Sequence, residues 1–199
     1  MEPVLVLASG SATRRTMLEK AGLPIVVDKP DVDEGGIKFE CRDCRLPAGD
    51  AAQRLAAAKA IQVSSRHPGR IVLGADQMLE CAGEWFDKPV NRAAAAWQIG
   101  LLSGRTHTLF SAVAAVRDST VIWSCLESAE LSVRVLSPDF IQSYLDRVGK
   151  AVLSSVGGYQ IEGLGIQLFD GVRGEHSTIL GLPLIPLLGF LREQGAIPS

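Results

Sequence analysis

Val4-Leu5-Val6-Leu7-Ala8-Ser9-Gly10-Ser11-Ala12-Thr13-Arg14-Arg15 runs apolar for five residues and turns polar at Ser9. A short continuous apolar run bounded by turn residues predicts a strand buried on both faces. Ser9-Gly10-Ser11 is the turn, and Ser11 is placed to cap a helix from about Ala12 to Ala21. This strand, loop and helix define the start of an α/β fold.

The same logic extends along the chain. Asp50 with Gln53 forms a capping-box pattern for an Ala-rich helix reaching about Ser65. Ile71 to Ala75 predicts a second buried strand. Met78–Glu80 and Glu84–Phe86 flank Cys81-Ala82-Gly83 as a hairpin, and Asn91 caps a helix ending near Leu102. His107–Val116 and Val121–Val135 predict a long hairpin around Arg117-Asp118-Ser119-Thr120. Ser137-Pro138-Asp139 starts another helix, with proline at its first position, that stops near Gly149. A glycine-marked irregular region, 157–174, precedes a last helix from about Leu182 to Gln194. With no repeat or linker, residues 1–199 are expected to form a single domain around a mixed sheet flanked by helices.

Composition narrows the function. The chain has 199 residues, 47% hydrophobic and 21% charged, as in ordinary globular proteins. A net charge of −2 provides no basic field for duplex nucleic acid. The opening residues lack a basic region, and the longest apolar stretch, Ile179–Leu191, carries Pro183 and Pro186 and falls short of the roughly 20 residues of a membrane span. The expectation is a cytoplasmic protein with no membrane contact. Cys41 and Cys44 form one C-x-x-C without a second half, among Gly35, Gly36, Pro47 and Gly49 in an expected loop, so they read as incidental thiols; a zinc-dependent interaction module built on them is the alternative. No G-x-x-x-x-G-K-[ST] or G-x-G-x-x-G occurs, so phosphate-loop and dinucleotide fingerprints are absent.

Arg14 and Arg15 stand in the first turn of the first helix, where the helix dipole is positive and each cation costs on the order of 0.3–1 kcal/mol. A bound anion reverses that sign. The first-turn amides, the hydroxyls of Ser9 and Ser11, Gly10 and two guanidinium forks together suit a polyphosphate; otherwise the arginines reach into solvent. Asp76 follows a buried strand at the edge that faces ligand in open α/β sheets. A hairpin centred on Ala82 puts Lys88 near Asp76 across the ladder, as a base with a phosphate counter-charge or as a plain surface ion pair. Glu34, in Asp31-Val32-Asp33-Glu34, could join Asp76 around Mg²⁺ or simply be solvated. Lys59 lies within the Ala-rich helix, where a lone lysine is ordinarily exposed. His107 and His176 accompany no serine or cysteine nucleophile motif.

Leu7–Arg15, Val32-Asp33-Glu34, Lys59-Ala60, Gly74-Ala75-Asp76, Lys88-Pro89, Ser103-Gly104, Gly157-Gly158-Tyr159 and Gly181-Leu182-Pro183-Leu184 together resemble the Maf family of nucleotide pyrophosphatases, in order along nearly the whole chain. The resemblance implies a mixed α/β sheet with a deep substrate cleft, as in inosine triphosphatases, and a homodimer. It implies cleavage of a nucleoside triphosphate between the α and β phosphates with Mg²⁺ or Mn²⁺. By that resemblance Asp76 matches the catalytic base. Ser9, Arg14, Arg15, Lys59 and Lys88 match phosphate-binding positions, and Glu34 matches an acid assigned here to the metal together with Asp76. Thr13, Gln77 and Glu162 bear on base specificity. Gln77 and Glu162 resemble the 7-methyl-GTP branch, in which a carboxylate accepts from the N–H donors of a cationic base. Thr13 replaces that branch's tryptophan and removes a stacking platform. A dTTP/UTP pyrophosphatase is the alternative, and a non-catalytic nucleotide-binding regulator of septum formation is the reading from another class.

Overall fold

The computed structural model describes residues 5–198, so Val4 of the opening strand lies outside the described residues. The first strand, β1 (Leu5–Ala8), leads through Ser9-Gly10-Ser11 into α1 (Ala12–Lys20), with Ser11 as its N-cap. Then follow β2 (Ile25–Val27), α2 (Glu34–Asp43), α3 (Ala48–Ser64), β3 (Ile71–Cys81), β4 (Glu84–Phe86), α4 (Arg92–Leu102), β5 (Thr106–Arg117), β6 (Thr120–Val133), α5 (Pro138–Val148), β7 (Phe169–Arg173), α6 (His176–Ile179) and α7 (Leu184–Glu193). Short 3₁₀ turns occupy much of the stretch between α5 and β7. The strands form one mixed sheet in the order β2-β1-β3-β5-β6-β7, with β4 paired to β3. β1 is parallel to both β2 and β3, whereas β4 is antiparallel to β3.

Local signals held where the cap is a side chain. Asn91 and Ser137 accept from the backbone of Ala94 and Phe140, as their positions predicted. Three expectations are corrected. Residues around Gly35-Gly36, and Cys41 with them, are not a loop but α2, because the Asp33 carboxylate caps Gly36 and Glu34 sits in the favourable first turn. The Ala-rich helix starts at Ala48 after Pro47, with no side-chain cap, so Asp50 is a first-turn acid and not the cap. The apolar run from Ile71 and the hairpin strand are one eleven-residue strand, β3.

The chain divides into two compact units: Met1–Gln77, Phe110–Glu127 and Glu175–Ser199 form one, and Met78–Leu109 with Ser128–Gly174 the other. It passes between them within β3, β5 and β6, and again between Gly174 and Glu175 after β7. In the first unit β1 is buried on both sides, and its two-residue alternation sorts the layers. Leu5 and Leu7 join Leu18, Ile71, Leu73, Ala75, Leu182, Leu187 and Phe190, with Trp123 stacked on Phe190 at 4.8 Å. Val6 and Ala8 face the opposite way, with Val72, Ala60 and Val63. In the second unit His107 and Tyr159 share a buried 2.6 Å hydrogen bond, and Phe169 meets the Tyr159 ring edge-on. Burial pulls His107 down to about 4 and pushes the Tyr159 phenol up.

Candidate active site

Ala8 and Gly74 are the last paired residues of β1 and β3. Ser9 on one strand, and Ala75 and Asp76 on the other, therefore leave the parallel ladder at the same carboxyl edge. Alternation along β3 sends Val72, Gly74 and Asp76 towards α3, and Leu73, Ala75 and Gln77 to the other face. The helix lies close there: a Cβ added at Gly74 would stand 2.1 Å from the Ala56 carbonyl and 2.8 Å from the Ala60 nitrogen. Only glycine admits that approach.

The approach buries a lysine against the carboxylate. Lys59 Nζ donates to Asp76 Oδ1 at 2.6 Å and lies 2.8 Å from Glu34 Oε1 at the start of α2. The Lys59 and Asp76 side chains are 7% and 9% exposed, and that of Glu34 is 48% exposed. A Lys59–Asp76 pair so deeply placed is costly unless each charge has a partner. Lys59 is thus not the exposed residue that helix composition suggested.

The opening segment forms the neighbouring wall. Buried Ser9 accepts from the Ser11 amide at 3.2 Å, and Ser11 Oγ caps the Arg14 amide at 3.3 Å. Arg14 extends inward: Nε donates to the Gly181 carbonyl at 2.8 Å, and Nη1 to the Ala75 carbonyl at 2.8 Å and to Ser9 Oγ at 3.4 Å. Burial lowers the Arg14 guanidinium from its ordinary value, while the nearby Asp76 and Glu34 carboxylates push it back up. Arg14 therefore spans Ser9, the edge of β3 and the turn before α7. Arg15 stays on the helix surface, half exposed and 3.7 Å from Glu19 one turn on. Thr13 is exposed, and neither its amide nor that of Ala12 has a partner within the helix.

On the opposite face of β3, Gln77 Nε2 donates to Ser111 Oγ at 3.0 Å and to the carbonyls of Thr178 at 3.2 Å and Ile179 at 3.0 Å. Ser111, itself fully buried, donates to Thr178 O at 2.7 Å. Sequence reasoning missed Ser111 and the 178–181 turn. The available signal was Ser111 itself, a polar residue directly before the apolar Ala112–Val116 run of β5. The carbonyls that Arg14 and Gln77 reach leave no trace in residue type.

Lys88 and Glu162 belong to the second unit, and both are exposed. Lys88 follows β4, whose register pairs Cys81 with Glu84 around a two-residue Ala82-Gly83 turn and ends at Phe86. Both turn residues have positive φ, 54° and 84°, as a tight hairpin with the twist of its strands requires. The ladder is thus centred after Ala82, not on it, and strand pairing does not itself carry Lys88 opposite Asp76. Glu162 lies in the turn before the 3₁₀ stretch Leu164–Leu168. Cys41 is buried on α2 and Cys44 exposed at its end; both are free thiols, and no group of three or more His, Cys, Asp or Glu side chains converges on a metal position among the described residues. No helix among the described residues is long and apolar enough to cross a membrane.

A nucleoside triphosphate pyrophosphatase of Paramagnetospirillum magneticum is 51% identical, over 96% of this chain and 99% of that protein. A 7-methyl-GTP pyrophosphatase of Mesorhizobium japonicum is 47% identical, over 99% of both. Among solved structures, a nucleoside-triphosphatase (dITP/XTP pyrophosphatase) of Mycobacterium abscessus aligns over 98% of this chain and 97% of its own at 15% identity, with a TM-score of 0.43. The Maf-like protein model matches residues 4–194, a span that takes in Ser9, Arg14, Glu34, Lys59, Asp76 and Gln77 alike, and the chain belongs to that family.

Proposed function

We propose that this protein hydrolyses a nucleoside triphosphate between its α and β phosphates, releasing a nucleoside monophosphate and pyrophosphate. The observation that carries the reading is the buried Asp76 carboxylate at the carboxyl edge of β1 and β3, held by Lys59 through Oδ1 alone. Oδ2 is then the oxygen that takes a proton from water. That water's oxygen forms the new bond to phosphorus as the bond to the leaving pyrophosphate breaks. The amides of Ala12 and Thr13, at the positive end of α1, supply donors for phosphate oxygens, and exposed Arg15 adds a mobile charge. Lys88 contributes a further charge to the phosphates in this reading. Residues 1–199 act as one functional domain, since the family match runs through both units without a break.

The hard oxygens of Glu34 and Asp76 fit Mg²⁺ or Mn²⁺, an ion content with one or two carboxylates once phosphate oxygens complete its shell. A bound divalent ion supplies charge neutralisation on the phosphates. For the base, 7-methylguanine is the favoured partner, with Glu162 accepting from its N–H donors, and the Mesorhizobium relative supports that choice. Gln77 acts on specificity through the turn it holds, because its amide hydrogens already serve Ser111, Thr178 and Ile179. The test is pyrophosphate release with Mg²⁺ or Mn²⁺ across 7-methyl-GTP, dTTP, UTP and CTP. Turnover of 7-methyl-GTP above the rest is expected; orthophosphate as the sole product, or no product, removes the proposal.

A further inference from the structure

We propose that Lys59 is the resident counter-ion of the Glu34 and Asp76 carboxylates, and that the protein therefore takes up its divalent cation only together with the nucleotide, as a metal–triphosphate complex. The nucleotide half of this statement rests on the pyrophosphatase reading; the lysine half rests on geometry. The ammonium is within 2.8 Å of Glu34 Oε1 and 2.6 Å of Asp76 Oδ1, the location a bridging ion would need. Both carboxylates also feel the Arg14 guanidinium. Two negative and two positive groups leave no net charge to attract a free cation. Nor is there a third protein carboxylate, thiol or imidazole nearby among the described residues to replace the water that Mg²⁺ surrenders reluctantly.

Lys59 has no easy way to yield the position. Its neighbour Ala60 packs with Val6, Ala8 and Val72, and Gly74 brings α3 into contact with β3, so the lysine is fixed at its root as well as at its tip. An ion arriving on a triphosphate meets different conditions. It brings its own oxygen ligands and a net negative charge, and it asks the protein for no more than one or two carboxylate oxygens. The lysine then keeps the carboxylate pair in place between turnovers, without a resident metal. On this reading Lys59 positions Asp76, and the phosphates are met by the α1 end and by Arg15.

Equilibrium dialysis of the full chain with Mn²⁺ tests the inference without using activity. Wild-type protein alone is expected to retain no stoichiometric Mn²⁺. With α,β-methylene-GTP or α,β-methylene-UTP present, it should retain about one Mn²⁺ beyond the amount carried by free analogue. Lys59→Met, if its melting curve shows it folded, should bind Mn²⁺ without nucleotide about tenfold or more tightly than wild type. One Mn²⁺ held tightly by the wild-type chain alone overturns the proposal, as does a folded Lys59→Met with no gain or a failure of both analogues to bring the ion in. If Lys59→Met does not fold, the wild-type measurements decide. The nucleotide-free results stand whether or not pyrophosphate is released, so failure of the enzymatic reading is told apart from failure of this one.

Discussion

Replacing Gly74 with alanine adds one methyl group at the point where β3 and α3 touch. The new Cβ would lie 2.1 Å from the Ala56 carbonyl oxygen and 2.9 Å from the Ala60 Cβ, where ordinary contact begins at 3.4 Å. The obstacles are backbone atoms in the middle of a 17-residue helix, so no rotamer change relieves them. The helix must withdraw by about 1 Å, which places the change at the severe end of core overpacking, about 3 kcal/mol. For a domain of this size that is a melting temperature lower by roughly 6–12 °C. The same withdrawal carries Lys59 away from Asp76 and stretches their 2.6 Å bond to the edge of hydrogen-bond range. A misplacement of that order at a catalytic carboxylate costs about 10²-fold in turnover. Calorimetry and pyrophosphate release on the same preparation read both effects. A Gly74→Ala protein that melts within about 2 °C of wild type and turns over normally would show that the helix is not held at this distance, and the account of how Asp76 is positioned would fail.

Asp76→Asn keeps the shape of the side chain and removes the base; turnover should fall by about 10²–10⁴-fold in a chain that still folds, since Glu34 still faces Lys59, and near-normal rates would exclude Asp76 as the proton acceptor. Glu162→Gln should move the substrate ranking from 7-methyl-GTP towards dTTP and UTP in a competition assay; an unchanged order would dismiss Glu162 as a reader of the base. His107 is held near 4 by burial against an ordinary 6.5, so the unfolded chain takes up a proton first as the pH drops. Stability is fully present above pH 6.5 and is lost down to pH 4, by about 2–3 kcal/mol between pH 7.5 and 4.5. Urea denaturation at the two values measures this, and His107→Gln should flatten the dependence; an equally steep loss in that variant would place the titration elsewhere.

What could be read from the chain alone follows the range of the forces involved. Ser11, Asn91 and Ser137 announce their helices because a cap is satisfied within three residues. β1 announces itself because burial on both faces demands an unbroken apolar run. Asp33 escaped notice as a cap since the glycines after it imitate a loop. Lys59 looked like a surface residue because the side of α3 that faces inward is decided by packing against Val6 and Val72, far away in sequence. Arg14 was legible as a cation in the wrong place for a helix. Its carbonyl acceptors, on residues 75 and 181, were not, since any residue can present a carbonyl. The structure thus gives that arginine a tethering role beside its closeness to the carboxylates.

The four passages of the chain between its compact units, within β3, β5 and β6 and between Gly174 and Glu175, bear on how the protein can be taken apart. No single nick releases either unit whole, because each unit is assembled from more than one segment of the chain. One proteolytic cut therefore offers no route to a liberated half. Exchange of parts among relatives meets the same constraint. Grafting Met78–Leu109 alone transplants only part of a unit, and a chimera that keeps each unit's internal packing must move Ser128–Gly174 with it.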